Sequence, residues 1–277
     1  MKSKFNLINS DKSVDALYNI AIQDFNTYYA LDQFAQLDVS KDSGKTWNVM
    51  PNSPQNIFGL QILNTGNIAQ IYVISDFNEN VKLYNPVDSS WKTIYKSENG
   101  RFVDSLAVSE DGTLYIIELD NDTSNNAQVH VSHNNGQTWS DFGGILRFGD
   151  EGFIDHTQIS ANSQGVMLYF HGILYAVSPD GSVWSLLHGT SSVISMTSDY
   201  NYTYVIASSA PNIIQRYNTA SNIYDPYFIT NIPSSSSSVN LANYDSNLYL
   251  MTTSNAQSSS GYYSTSVYDA SIGSLNY

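Results

Sequence analysis

Carboxylates interleaved with a handful of arginines are the side chains of this sequence with the clearest chemical potential. One group comprises Arg101 and Asp104, then Arg147, Asp150, Glu151, Asp155 and His156. A second comprises Asp32, Asp76, Glu79, Glu118, Asp120, Asp122 and His171. Two acids held about 5 to 9.5 Å apart suit glycoside hydrolysis, in which one protonates the leaving oxygen while the other attacks the sugar or activates water. The same residue types also cap turns and solvate loops, and the sequence favours that plainer role. Arg101, Asp104, Glu118, Arg147, Asp155, His156 and His171 are therefore candidates for a ligand-binding face, with no residue assigned to catalysis.

Metal and cofactor chemistry has less support. The run Asp120-Asn121-Asp122-Thr123-Ser124-Asn125-Asn126 offers oxygen ligands at alternate positions, but it lacks the glycine and the distal acid of a calcium loop. His130 and His133, three apart on an expected strand, point to opposite faces and cannot grip one ion together. The absence of cysteine removes disulfides, thiol nucleophiles and thiolate metal sites at once. No phosphate loop, nucleophile elbow or His-Glu-x-x-His signature occurs, so neither cofactor nor metal is expected. Asn121-Asp122-Thr123 and Asn201-Tyr202-Thr203 are glycosylation sequons, relevant only to an external protein.

Whatever these side chains do, a repeated scaffold must position them. Ser40-Lys41-Asp42-Ser43-Gly44-Lys45-Thr46-Trp47 and Ser132-His133-Asn134-Asn135-Gly136-Gln137-Thr138-Trp139 share the pattern Ser-x-Asp-x-Gly-x-Thr-Trp, with Asn134 in place of the acid. Asp or Asn can accept from nearby turn amides, Gly tolerates positive φ, and Trp starts the next strand by packing between sheets. The pattern resembles the Asp box, the bacterial neuraminidase repeat of sialidase-like β-propellers. That resemblance implies a structural role for Ser40, Asp42, Gly44, Thr46, Trp47, Ser132, Asn134, Gly136, Thr138 and Trp139, on the rim away from the ligand face. Asn85-Pro86-Val87-Asp88-Ser89-Ser90-Trp91 and Ser178-Pro179-Asp180-Gly181-Ser182-Val183-Trp184 read as worn copies.

Two markers keep one beat. Trp47, Trp91, Trp139 and Trp184 recur at the roughly 40 to 50 residues of a propeller blade. Tyrosines followed by mostly apolar residues, Tyr29, Tyr72, Tyr115, Tyr169, Tyr204 and Tyr249, recur at the same interval. Turn residues such as Glu110-Asp111-Gly112-Thr113 precede most of them and mark tight hairpins. The expectation is an all-β fold, a six-bladed β-propeller of four-stranded antiparallel blades forming one domain over 1–277. Its blades are expected near 14–50, 57–94, 102–142, 153–187, 193–229 and 239–277. Residues 4–8 sit where the outer strand of a preceding blade belongs, and are expected to close the last blade near Tyr263 to Tyr268, burying Phe5; the competitor is Ser274 to Tyr277, which could supply that outer strand by itself.

Sialidases share blades and boxes with this chain, but that family clamps its substrate carboxylate with three arginines, the first in an early Arg-Ile-Pro motif. Here Arg-Ile-Pro is absent, the only arginines are Arg101, Arg147 and Arg216, and none lies in the first blade. A sialidase-like glycosidase using carboxylates in the central funnel is therefore the alternative, behind a non-enzymatic binding propeller.

Charge narrows the partner. Eleven Lys and Arg against 25 Asp and Glu give a net charge of −14, without the basic patch that nucleic-acid binding needs. Only 13% of residues are charged, about half the usual share; the polar surface is Ser, Asn, Thr, Gln and Tyr. In style this composition resembles surface and virion proteins of crenarchaeal viruses. No apolar run is long enough to span a membrane, and no signal peptide is visible. Serine-rich stretches at Ser234 to Ser238 and Gln257 to Gly261 fall where loops are due. The expected partner is a protein or a glycan, met in an extracellular or virion-surface assembly.

Overall fold

The computed structural model describes residues 6–11, 17–65, 68–98, 100–120, 126–144, 146–147, 157–170, 172–189, 192–208, 213–218, 221, 223–230, 238–245, 247–255 and 263–271. Its strands, β1 (Asn6–Asp11) onward, fall into six antiparallel sheets. The first is β2 (Leu17–Ile22), β3 (Tyr28–Asp32), β4 (Leu37–Ser40) and β5 (Asn48–Val49), in that order; β6 (Gly59–Thr65), β7 (Ile68–Ser75), β8 (Asn80–Asn85) and β9 (Ser90–Lys96) form the second. The third contains β10 (Arg101–Val108), β11 (Leu114–Asp120), β12 (Asn126–Ser132), β13 (Ser140–Asp141) and β14 (Leu146–Arg147). The fourth contains β15 (Gln158–Asn162), β16 (Gly165–Phe170), β17 (Ile173–Val177) and β18 (Trp184–Gly189). The fifth contains β19 (Val193–Ser198), β20 (Tyr202–Ala207), β21 (Ile213–Asn218) and β22 (Ile223–Thr230). β23 (Ser238–Tyr244), β24 (Asn247–Asn255) and β25 (Tyr263–Ser271) make the last sheet, with β1 on its outer edge.

This is an all-β propeller of four-stranded antiparallel blades. The inner strands touch in the order β2, β6, β10, β15, β19, β23 and back to β2. One apolar core lies between each successive pair of sheets. Second strands carry apolar residues on both faces because both faces are covered, so β11 and β16 are buried almost throughout.

The two sequence markers divide the cores between them. Tyr29, Tyr72, Tyr115, Tyr169, Tyr204 and Tyr249 each enter the core shared with the following sheet. Trp47, Trp91, Trp139 and Trp184 each pack, half-buried, into the core shared with the preceding one. Tyr72 and Trp139 therefore meet in the core between the second and third sheets, while Tyr115 and Trp184 share the next.

One detail departs from the sequence reading. The outer edge of the third sheet is split: β13 pairs with His130 and Val131, and β14 pairs with Asn126 and Ala127 further along β12. Phe142 interrupts them by turning into the core, its amide donating to Val129 O at 2.8 Å. At the chain's ends β1 pairs with β25, from Asn6 opposite Asp269 to Asp11 opposite Thr265. Ser274 to Tyr277, the other segment able to fill that edge, and Phe5 lie outside the described residues.

Candidate functional site

The six inner strands line a cavity of about 610 Å³. Alternation along each strand turns polar side chains toward it, and most of the named ones are engaged with the neighbouring blade. Bulges shift the register between Val103 and Ser105 in β10 and between Val193 and Ser195 in β19. Each places a serine hydroxyl where it accepts an amide of the next inner strand: Ile159 N–H donates to Ser105 Oγ at 3.1 Å, and Leu241 N–H to Ser195 Oγ at 3.0 Å. Gln158 Nε2 donates to the carbonyls of Val193 and Ile194 at 3.0 and 2.9 Å. Thr197 donates to Asn243 Oδ1 at 2.8 Å, and Asn64 Nδ2 to Ile22 O at 3.0 Å. These bonds tie each blade to its neighbour, beside backbone bonds such as Val103 N–H to Asn78 O at 2.7 Å.

Among the described residues lining the cavity, the charged ones are Asp104, Glu110 and Asp245, with no lysine or arginine. Asp104 Oδ2 accepts from the amide of Thr157 at 2.8 Å and from its hydroxyl. Glu110 receives the amide of Ser163 at 3.2 Å, yet burial first, with Asp199 and Asp111 nearby, raises its pKa above the ordinary carboxylate value. Asp104 and Glu110 are six residues apart along one strand and the turn after it. At about 3.3 Å per residue that is roughly 20 Å, beyond the reach of a paired-carboxylate glycosidase. Asp245 follows β23, three inner strands from β10 in either direction around the contact cycle.

Several candidates expected in loops lie elsewhere. Arg101 and Asp104 belong to β10, and Glu118 and Asp120 to β11, because this hairpin pairs as far as Arg101 opposite Asp120. Glu118 is only 3% exposed. It accepts from Tyr95 OH at 2.9 Å and Arg101 Nη1 at 3.1 Å, with His130 Nε2 at 3.4 Å. Arg101 Nε also meets Asp120 Oδ1 at 2.6 Å, and His130 Nδ1 meets Asp141 Oδ1 at 3.1 Å. Burial alone would raise the Glu118 pKa; the bonds from His130 and Tyr95, the charge of His130 and the bond from Arg101 reverse it, and the net direction is downward. Glu118 and Arg101 are thus joined, but in the seam between the second and third sheets. Arg147 ends β14, whose backbone pairs with Asn126 at the start of β12. Asp155, His156, His171, Asp150, Glu151 and Asp122 lie outside the described residues, as does most of the proposed calcium loop. No cluster of three or more metal-ligating side chains occurs among the described residues.

Tyr95, His130 and Asp141 complete the Glu118 cluster, and no local pattern in the sequence links them to it. Their strands are brought together only by folding, and the one sequence signal is the histidine itself on an expected strand.

The Ser-x-Asp segments form the β4–β5 and β12–β13 turns, on the opposite face. Asp42 Oδ1 accepts from Thr46 N–H at 2.9 Å, Asp42 Oδ2 from the Thr46 hydroxyl at 2.7 Å, and Ser40 Oγ from Gly44 N–H at 2.8 Å. Asn134 repeats this with Thr138 N–H at 2.9 Å, and Ser132 with Gly136 N–H at 2.9 Å. Asn134 Nδ2 then donates to Thr138 Oγ1 at 2.8 Å, reversing the polarity of the acid's contact. Chiefly the Thr46 amide, then its hydroxyl, holds the Asp42 carboxyl down at about 2.

No protein-family model matches the sequence, and no curated protein matches it. Solved structures do share its fold. YCF48 from Cyanidioschyzon merolae is 9% identical with a TM-score of 0.54, over 98% of this chain and 99% of that one. YCF48 bound to D1 peptide is 9% identical at a TM-score of 0.50, over 91% of this chain and 78% of that one. Trypanosoma rangeli sialidase, in complex with a difluoro sugar acid, is 14% identical at 0.53, over 95% of this chain but 54% of that one. At such identities the likeness establishes a β-propeller and nothing further about activity.

Proposed function

We propose that this chain is a non-enzymatic interaction propeller, a closed ring of six blades over 1–277 that docks a protein or glycan partner. On this reading the two Ser-x-Asp/Asn turns are Asp boxes with a purely structural role. The observation that carries it is the state of the cavity's polar groups. Asp104, Ser105, Gln158 and Ser195 are spent on tying blade to blade, and no cation stands among the described lining residues to hold an anionic sugar. Arg101 is committed to Glu118 and Asp120, while the Arg216 guanidinium stacks on Tyr202 at 4.2 Å. Neither supports a carboxylate clamp. That a propeller of similar shape was solved with a bound peptide favours protein as the partner class. The low charge content and the sequons favour a place on the outside of a cell or virion.

The test is enzymatic and physical together. Purified protein incubated with a fluorogenic sialoside and a panel of nitrophenyl glycosides should give no turnover above buffer, while native material should co-purify with a stoichiometric partner. Turnover that disappears in Asp104→Asn or Glu110→Gln would establish the hydrolase instead.

A further inference from the structure

We propose that an aromatic crescent on the first two sheets, opposite the Ser-x-Asp turns, is the docking surface for a basic, apolar-bearing peptide segment of a partner protein. This rests on the interaction reading above and gives it a location and a ligand chemistry.

Four of the chain's exposed large apolar side chains share this face. Tyr18, second in β2, is 41% exposed; Phe34 in the β3–β4 turn is 63% exposed; Phe58, just before β6, is 52% exposed; and Phe77 in the β7–β8 turn is 73% exposed. Backbone bonds draw three of their segments together. Ile57 N–H donates to Ala35 O at 2.9 Å, and Asp76 N–H to Gln55 O at 3.4 Å, so residues 55–58 bridge the two turns that carry Phe34 and Phe77. Aromatic exposure concentrated in this way marks interaction surfaces more than scattered exposure does.

The turns are also built to present these rings. Asp32 Oδ1 accepts from Phe34 N–H at 2.9 Å and from Gln36 N–H at 2.7 Å, fixing the loop. Asp76, Phe77 and Asn78 have φ of 55°, 59° and 67°, a left-handed run that is unfavourable for a ring-bearing residue. Asp76 is held in turn by Lys82 Nζ at 2.6 Å and Asn80 Nδ2 at 2.9 Å. A strained backbone locked by side chains while its phenyl ring stands in solvent is poorly explained by folding alone.

Charge selects the occupant. Phe58 and Asn19, next to Tyr18, also line the cavity, so the crescent continues into an opening whose nearer charged group is Asp104, with Glu110 and Asp245 past the far ends of β10 and β23. Lys82 and Arg101 are paired to Asp76 and to Glu118 and Asp120; Lys96, exposed opposite Asn80 in the β8–β9 ladder, is flanked by the exposed Glu79 and Glu98. The whole chain carries −14. A segment bearing Lys or Arg beside apolar side chains complements this field, and an acidic one opposes it. Three phenylalanines, lacking polar tips, suit apolar side chains better than the hydroxyl-rich edges of a sugar.

The probe is a fluorescein-labelled 16-residue peptide of alternating Arg or Lys with Leu or Phe, read by anisotropy against the full chain. Its controls are the same peptide with Glu for every cation and one with Ser for every apolar residue. The basic apolar peptide should bind, both controls at least tenfold more weakly. The triple variant Phe34→Ser, Phe58→Ser, Phe77→Ser should weaken binding at least tenfold, whereas Val87→Ser with Tyr200→Ser, on the opposite face, should not. Unchanged melting curves verify that the variants fold. Equal affinity in the triple variant moves the interaction surface elsewhere and overturns this proposal while leaving the interaction reading intact. Absence of binding, or preference for the acidic peptide, overturns it as well. Binding of a neutral glycan array that the triple variant loses would make the crescent a sugar site; glycoside turnover by the wild type would instead sink the interaction reading itself.

Discussion

Replacing Asp42 by Asn isolates what a charge adds to a turn that Asn134 already builds without one. In the folded chain the Asp42 carboxyl sits near 2, below its ordinary 3.8. A depressed folded value means that its contribution is complete above about pH 4 and is lost as pH falls toward 2. Asp42→Asn should therefore flatten the melting temperature between pH 4 and pH 2 and leave the turn folded. Asp180, held near 2 chiefly by the Ser178 hydroxyl, should still supply part of the slope. Thermal melts from pH 2 to 5 measure it. Glu118 tests burial in place of exposure. Glu118→Ala removes the buried acceptor shared by Tyr95, Arg101 and His130, leaving Arg101 on Asp120 and His130 on Asp141, and should cost about 2 to 4 kcal/mol by denaturant titration, below a fully broken buried pair, without changing binding to the aromatic crescent. The residue types of the turns were readable in advance because each turn is a local hydrogen-bonding unit of eight residues. The Glu118 cluster was not, since Tyr95 and His130 lie 23 and 12 residues from Glu118 and only sheet packing makes them neighbours.

At the scale of elements, the tryptophan and tyrosine rows show why a period can be read when a side chain's task cannot. Each row occupies one side of a sheet, so a spacing set by chain length per blade becomes a position between blades. Trp139 bears this out in bonds as well as packing: its Nε1 donates to Ile94 O, across in the preceding sheet, at 2.8 Å, and its ring lies 5.2 Å from Tyr95. Trp139→Ala should cost about 2 to 4 kcal/mol, the lower part of the aromatic range because the ring is only half-buried. Gly136, in the turn before it, has φ of 77°, and an added Cβ would stand 2.6 Å from the Ile94 Cβ. Gly136→Ala therefore combines backbone strain with a clash against the neighbouring blade. It should destabilise by more than the roughly 1 kcal/mol that positive φ costs on its own. Chemical denaturation of Gly136→Ala against Gly100→Ala, whose φ is 82° and whose added Cβ would meet nothing within 4 Å, separates the two contributions. What the period could not foretell was the extent of each strand. Arg101, Asp104, Glu118 and Asp120 looked like loop residues because polar side chains dominate there, and they became strand residues because the β10–β11 ladder runs to its last polar pair.

For the whole molecule the decisive question is how a chain of repeated sheets meets its own beginning. The inner strands close without help, since β23 contacts β2 and the Thr253 hydroxyl donates to Leu17 O at 2.7 Å across that seam. The outer edge is different. β25 would end the last sheet with a row of unpaired amides and carbonyls, a template for association, were β1 not laid along it from Asn6 to Asp11. One sheet is thus built from both ends of the chain, and its stability includes the entropy of holding the first strand at the end of the ring. Removing residues 1–11 should expose the β25 edge while leaving every other blade intact. The expected result is a fall in melting temperature of about 5 °C or more, as the loss of a few kcal/mol produces in a chain of this size, accompanied by concentration-dependent light scattering. A synthetic peptide of residues 1–16 added in excess should restore both by reoccupying the edge. An unchanged melt and a monodisperse truncated protein would mean that β25 has another partner, and that closure of this propeller depends on its inner strands alone.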